Sequence, residues 1–425
     1  MDVFLRDLAI RAAAAALSRC MGDRTLTVIA SEAKQSSLRW RLDCFVAPLL
    51  AMTGKNMRLG LFMMPVHPPG RVLAETLSED EEKAIYADRL GFDELWLGEH
   101  FSATTEPIPS PLMFMAGLVA RTKNLTFGTA VICLPNHHPV KVAAEVAQFD
   151  HMSRGRFMLG IGIGGLYSDF ELFDNGDRKV RERKVMESIG MIERIWTRDP
   201  PYELKGEFWN VQLKDAIIPE LGIGYLPKPY RKGGPPISMS VSSRNSPTAR
   251  VAAQRGWGII SANNVPRPAL PAHWQTYSKA CAEAGKPARG ENWRVARNVM
   301  VAASDSEARD RVFGEHGSNR YFYTYMREVL SRVGLLGSLK PDPNMSDEAA
   351  TVDVITEGSV LYGSPKTFLD KLVALRDEAG PFGTLLMTGL DWSGPNREWE
   401  RESMRFLAQE VVPKFRQHVA AKAAE

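Results

Sequence analysis

Residues 92–102, FDELWLGEHFS, close an apolar, strand-like run on the acid–histidine pair Glu99-His100. An imidazole titrates near neutral pH, so a histidine delivered at a strand end can hold or release a proton for a reacting group. Glu99 alternates to the other side of the strand, which predicts packing or an ion pair for it rather than chemistry. Two further histidines, His137 and His138, stand in PNHHP, and with His67 and His100 they raise the question of a metal site. Metal-dependent barrel hydrolases ask for a His-x-His pair at the first strand end, and here that end offers only His67, so no metal is expected. A hydrogen-bonded structural role is the plain alternative for His67, His137 and His151. GIGIGG (160–165) satisfies G-x-G-x-x-G, but LYSDFELFD after it does not open a helix close against the strand, and the pattern alone is weak. Its glycines, Gly162 among them, read as room for a flat ligand or for close backbone packing. In SSRNSPTAR, Ser246 can cap a helix beginning at Pro247. The free N–H groups there, with Ser243, Asn245 and Thr248 nearby, suit a phosphate. An ordinary capped helix accounts for the same residues. Arg183 could balance the charge, although arginines on such helices are more often solvated.

These residues need a scaffold that gathers strand ends. From Met57 onward, strand-like and helix-like segments alternate. Strand candidates are 58–64, 92–98, 125–134, 156–162, 237–241, 257–262, 293–303 and 382–390. Helix candidates include 78–90, the segment opened by Pro111, 139–152, 180–196, 246–256, 268–285, 364–380 and one from about Pro395. Eight such units predict an α/β fold, a (β/α)8 TIM barrel. An open doubly wound sheet shares the alternation, but the even spacing and the count favour the barrel. Two insertions interrupt it: residues 200–234 after the fourth strand, with a hairpin, and 304–362 after the seventh, with the aromatic run YFYTYM. Barrels place chemistry at the C-terminal strand ends. Those ends here read PVHPPG, EHFS, PNHHP, GIGGLYSDF, SSRNSPT and NNVPRP, whereas the opposite ends carry plain turns such as LGFD and TKNL.

The totals narrow the class. With 44% apolar and 24% charged residues, the 425-residue chain is of ordinary globular composition. A net charge of +3 gives no electrostatic case for nucleic acid or an anionic membrane. Its four cysteines form no C-x-x-C pair, which fits a reducing, cytoplasmic setting. No apolar run is long enough to span a bilayer. Residues 1–56 differ in character, and VIASEAKQSSLRWRLDCFVAPLLAMT resembles the translation of an interspersed bacterial repeat element. The expectation is a non-conforming tail over 1–56, from a start placed too far upstream, and one barrel domain over 57–425. A genuine N-terminal extension is the alternative.

The stretch from FDELWLGEHFS through LTFGTAVICLPNHHP to GRFMLGIGIGGLYSDF resembles the bacterial luciferase-like, flavin-dependent monooxygenases. NSPTARVAAQRGWG is similar to their later phosphate-region pattern, and LGLFMMPVHPPG with NHHP is nearest the limonene monooxygenase-like branch. The resemblance runs from about Met57 to the C-terminus. It implies His100 at the active-site histidine position and a non-proline cis peptide at Ala130-Val131 beneath the flavin ring. It places Gly162 beside the flavin and Arg183, Ser243, Asn245, Ser246 and Thr248 in the phosphate region. It further implies reduced FMN and O2 as co-reactants, a separate NAD(P)H:flavin reductase, a homodimer and a small apolar, terpene-like substrate. Met64, Phe101 and Tyr167 are the candidate substrate contacts. Gly162 and Ile163 replace the cysteine and arginine of light-emitting members, so light emission is not implied. An F420-dependent dehydrogenase and a non-catalytic flavin-binding protein remain the alternatives.

Overall fold

A computed structural model describes residues 57–422 of the chain. The N-terminal tail expected over 1–56 lies outside the described residues. Strands β1 (Arg58–Met63), β2 (Glu94–Leu97), β3 (Thr126–Thr129), β5 (Phe157–Gly162), β8 (Ile237–Val241), β9 (Gly258–Ser261), β10 (Trp293–Arg297) and β13 (Thr384–Gly389) pair in parallel around a ring. The ring closes because β3 pairs with β5, Phe127 opposite Phe157, and β13 pairs with β1. The short β4 (Ile132–Cys133) continues β3 and pairs with β5. This is the (β/α)8 barrel.

Period-two alternation sorts each strand's side chains. Leu59, Leu61 and Met63 face the helical shell, while Phe62 joins Trp96, Met158, Ile260, Ala296 and Leu386 inside the barrel. Beneath that apolar layer lies an ion pair. Arg294 Nε and Nη2 donate to the two Glu94 oxygens at 2.7 and 3.1 Å, and Trp96 Nε1 donates to Glu94 at 2.7 Å. Burial opposes ionisation of Glu94, but Arg294 and Arg58 outweigh it and hold the carboxyl below its usual range. Charge buried this deep persists only when partnered; removing one partner costs about 3–5 kcal/mol. The floor is therefore plugged, and any ligand must sit at the rim.

The helices agree closely with the sequence reading. Helix α3 (Pro139–Met152) and strand β8 fall where expected to the residue, and α2 (Pro111–Val119) begins at Pro111 behind the cap Ser110. Helix α1 (Leu73–Arg89) begins five residues before the expected start. An acidic cluster lies mid-helix, where Glu79, Glu81 and Glu82 pair with Arg71, Arg121, Arg397 and Arg401. The run 125–134 is not one strand: it breaks between β3 and β4, where the Ala130–Val131 peptide is cis. A short helix α4 (Tyr167–Leu172) follows the glycines, and α5 (Arg178–Thr197) comes next.

Both insertions are present. After β5 and α5, β6 (Tyr202–Lys205) and β7 (Asn210–Leu213) form an antiparallel hairpin. Helices α6 (Pro247–Arg255) and α7 (Leu270–Glu283) belong to the barrel's shell. Past β10 and β11 (Val299–Val301), helices α8 (Asp305–Phe313), α9 (Ser318–Arg332) and α10 (Val352–Ser359) lead to β12 (Leu361–Gly363), which pairs with β11. Phe322 and Tyr323 of α9 bury against Val66, Met300 and Leu390, so this insertion packs on the C-terminal ends of three strands. Helix α11 (Pro365–Ala379) then leads into β13.

Candidate active site

Strand β2 delivers Glu99 and His100 to the C-terminal rim. His100 lies between two carboxylates. Its Nε2 is 3.3 Å from Glu106 Oε2 and its Nδ1 is 3.7 Å from Asp169 Oδ2. Burial alone would disfavour the charged ring, but Glu106 and Asp169 together outweigh it and raise its pKa above the usual value. Glu106 is pushed up, mainly by burial. Asp169 is held low despite burial, through His100 and the Ser102 and Phe101 groups that donate to it. Backbone N–H groups of Ser102 and Phe101 reach Asp169 at 2.9 and 3.2 Å, so this side chain of α4 clips the loop that follows β2. Among the described residues, neither His100 Nδ1 nor Glu106 Oε2 completes a hydrogen bond. The imidazole is thus biased toward its protonated form by its surroundings yet not locked, as a group that exchanges protons requires.

Glu99 turns the other way, as strand alternation predicts. Its Oε2 accepts the Cys133 N–H at 2.8 Å and its Oε1 meets His137 Nε2 at 3.0 Å. It thereby secures the chain just past the cis peptide. His138 caps α3 through Val140 N–H, and His151 donates to Lys228 O at 3.0 Å. His67 sits in a buried ion network, 2.7 Å from Asp391 and 3.2 Å from Asp80. His67, Glu79 and Asp391 lie close enough to share a cation. Arg71 occupies that position instead, donating to Asp391 at 2.6 Å and to Glu79 at 2.7 Å.

The glycines have separate reasons. A Cβ on Gly160 would strike Thr129 O at 1.7 Å, and one on Gly162 would meet Val131 Cγ2 at 2.7 Å, so both permit close strand packing. Gly164 takes a positive φ of 82°. Gly165 has open space where its Cβ would stand. Met64 lies over Gly98, whose Cβ would overlap its sulfur, and with Ala130 it caps the apolar layer of the barrel. Phe101 packs edge-on against Phe173 at 4.8 Å. Tyr167 is half exposed on α4 beside Phe170.

Across the mouth, the β8–α6 turn is open. Ser243 and Asn245 are exposed, Thr248 is half-buried, and buried Ser246 accepts the Thr248 N–H at 3.3 Å as the helix cap. Below it runs a hydrogen-bond chain that no local pattern singles out. Trp293 Nε1 donates to Ser261 Oγ at 2.9 Å, Ser261 lies 2.8 Å from His273 Nδ1, and His273 Nε2 donates to Ser243 O at 3.0 Å. A carbonyl can only accept, so Nε2 carries a proton. Burial lowers the His273 pKa to about 4. Arg183 is not part of this cluster. It stands exposed on α5 with its guanidinium paired to Glu207 at 2.9 and 3.0 Å, and the nearest buried arginine of that helix, Arg181, is stacked on Phe170.

The family pattern of the luciferase-like monooxygenases matches residues 57–381. The chain belongs to that family. It is 34% identical to a 4-hydroxyprotoasukamycin monooxygenase of Streptomyces nodosus subsp. asukaensis over 85% of this chain and 93% of that one. It is 30% identical to a limonene 1,2-monooxygenase of Rhodococcus erythropolis over 84% and 86% of the two chains. Among solved structures, the oxygenating constituent of 3,6-diketocamphane monooxygenase from Pseudomonas putida, in complex with FMN, superposes with a TM-score of 0.76 at 28% identity. That match covers 84% of this luciferase-like chain and 99% of the other.

The residues present fit a flavin mononucleotide. An apolar floor of Met64 and Ala130 offers a face for a flat ring, Gly165 leaves room at the edge, and exposed hydroxyls at a helix N-terminus suit a phosphate. Sequence reasoning missed Glu106, Asp169 and His273. Asp169 alone left a trace, as a carboxylate shortly after a glycine-rich strand end.

Proposed function

We propose that this luciferase-like chain is the oxygenase of a two-component system. Reduced FMN is supplied by a separate NAD(P)H:flavin reductase, and the chain uses it with O2 to oxygenate a small apolar organic substrate. When bound, the reduced flavin supplies the electrons that activate oxygen. The protein's part is to bind, orient, exclude water and move one proton. The observation that carries this reading is His100 between Glu106 and Asp169, above an apolar floor.

His100 holds or gives up a proton at its unlocked imidazole. Asp169 fixes the loop that carries it and favours the protonated ring. Glu106, its own pKa raised mainly by burial, is suited to take the proton in turn. Glu99 and His137 secure the backbone that would support a bound flavin ring. The α6 N-terminus with Ser243, Asn245, Ser246 and Thr248 would hold its phosphate, while Arg183 is left out because Glu207 engages it. Met64 and Phe101 line the substrate side; Tyr167 reaches it only from the exposed edge. Homodimeric assembly and a cytoplasmic location belong to the same proposal.

The test is to supply the full chain with FMN, a flavin reductase, NADH and air, and to screen terpenes and cyclic ketones for oxygenated product. Coupled product formation supports the reading. Turnover with F420 instead of FMN, or flavin binding without any oxygen uptake, would replace it with one of the two alternatives.

A further inference from the structure

Arg297, the last residue of β10, lies one position beyond the inward-facing Ala296 and so turns away from the barrel axis. Its side chain is completely buried. Nη1 donates to the carbonyls of Val265 and Asn263 at 2.6 and 3.3 Å. Among the described residues, Nε and Nη2 donate to nothing. Three neighbours share this condition: Asn319 Nδ2 and Tyr323 Oη of α9, and Ser359 Oγ at the end of α10 are buried with no hydrogen-bond partner among the described residues. They converge on one place. Tyr323 feels the charge of Arg297 and lies within reach of Ser359. Asn319 Oδ1 accepts from Asn298, the residue after Arg297, at 3.2 Å. Arg267 donates to the Gly358 carbonyl at 3.3 Å, next to Ser359.

The chemistry of the cluster is lopsided. Three of its five unpaired atoms are nitrogens that can only donate, so they cannot satisfy one another. The two hydroxyls can turn their protons inward. Among the described residues no carboxylate pairs with Arg297, and the other cation it feels, Arg267, works against its charge. A buried charge without a counter-charge is strongly unfavourable, and water can complete hydrogen bonds but not neutralise a guanidinium.

We propose that Arg297, Asn319, Tyr323 and Ser359 bind a small monovalent inorganic anion of the chloride class between β10 and the insertion helix α9. The complete burial of all four side chains admits only a compact ligand. Bound there, the anion fastens the second insertion to the barrel. The inference is independent of the reaction proposed above.

The test uses the full chain. Crystals grown in bromide are expected to show an anomalous peak in hydrogen-bonding contact with Arg297 Nη2 and Asn319 Nδ2. In solution, the unfolding midpoint should rise saturably, by about 2 °C or more, in chloride or bromide relative to gluconate at equal ionic strength. Arg297→Met should abolish that difference; if it does not fold, Asn319→Leu should weaken it while the charge remains. Water density at the site with a midpoint that follows ionic strength alone overturns the proposal. So does a bromide peak without any anion-specific effect in solution, which would mark an adventitious ion only.

Discussion

Two largely enclosed histidines, His100 just past β2 and His273 of α7 under the Ser243 carbonyl, have surroundings that push them opposite ways. His100 lies between the carboxylates of Glu106 and Asp169, and its pKa is raised. His273 lies between a serine hydroxyl and a backbone carbonyl, with Arg297 and Arg244 as the charges it feels, and its pKa falls to about 4. Burial opposes the charged ring in both. What differs is whether negative charge is present to outweigh it. One side of the mouth is built to keep a proton available. The other keeps a neutral ring as a fixed strut beneath an open helix N-terminus. A histidine's role is thus set by what faces it, not by its being a histidine.

His100→Ala should break the proton-handling side outright. We expect it to fold and bind reduced FMN but to lose coupled product by about 10²–10⁴-fold, with hydrogen peroxide released instead. Product and peroxide assays in parallel check this; undiminished coupling would remove His100 from the chemistry. His273 should show its difference through stability. Its folded pKa lies below the unfolded value near 6.5, so its contribution is fully present above pH 6.5 and is lost as pH falls through about 4. The loss amounts to roughly 3 kcal/mol at about 1.4 kcal/mol per unit. Denaturant titrations of wild type and His273→Gln between neutral and acid pH should therefore converge on acidification; parallel curves would contradict the assignment.

Asp169→Asn sharpens the contrast more gently. Removing that carboxylate lowers the His100 pKa, so the inflection of the pH–rate profile should move to lower pH whichever protonation state acts. An unmoved inflection would mean another group sets it. Ser246→Ala removes the α6 cap, worth about 1 kcal/mol. It should weaken FMN binding more than riboflavin binding, and equal losses would place the phosphate elsewhere. The smallest effect concerns the tail: a chain starting at Met57, where the family match begins, should fold and bind FMN as the full chain does. Reduced solubility or affinity of the shorter chain would show the tail to be structural.

Much of this architecture was legible in single segments. Helix α3 and strand β8 follow from local periodicity and flanking proline or serine, because those signals are complete within a few residues. The break at Ala130–Val131 was not, since VICL continues the β-rich pattern without interruption; only the family resemblance marked it. The barrel floor was invisible for a different reason. Glu94 and Arg294 meet across 200 residues, and neither strand alone shows that its charge is partnered. Glu106 and Asp169 became site residues only when a loop and a short helix converged on His100. His273 was hidden most thoroughly, because it occupies a buried helical position any apolar residue could fill. Its meaning lies wholly in the Ser243 carbonyl it holds.

The opposition of the two histidines can be measured directly in the wild-type protein, with variants serving only for assignment. Side-chain NMR of ring-labelled histidine, assigned by His100→Ala and His273→Gln, follows both rings through one pH titration. The structure predicts that His100 stays protonated to above the ordinary value near 6.5, while His273 remains the neutral Nε2–H tautomer until pH falls towards about 4. If both titrate together near 6.5, or in the reverse order, the mouth does not have one proton-holding side and one fixed side.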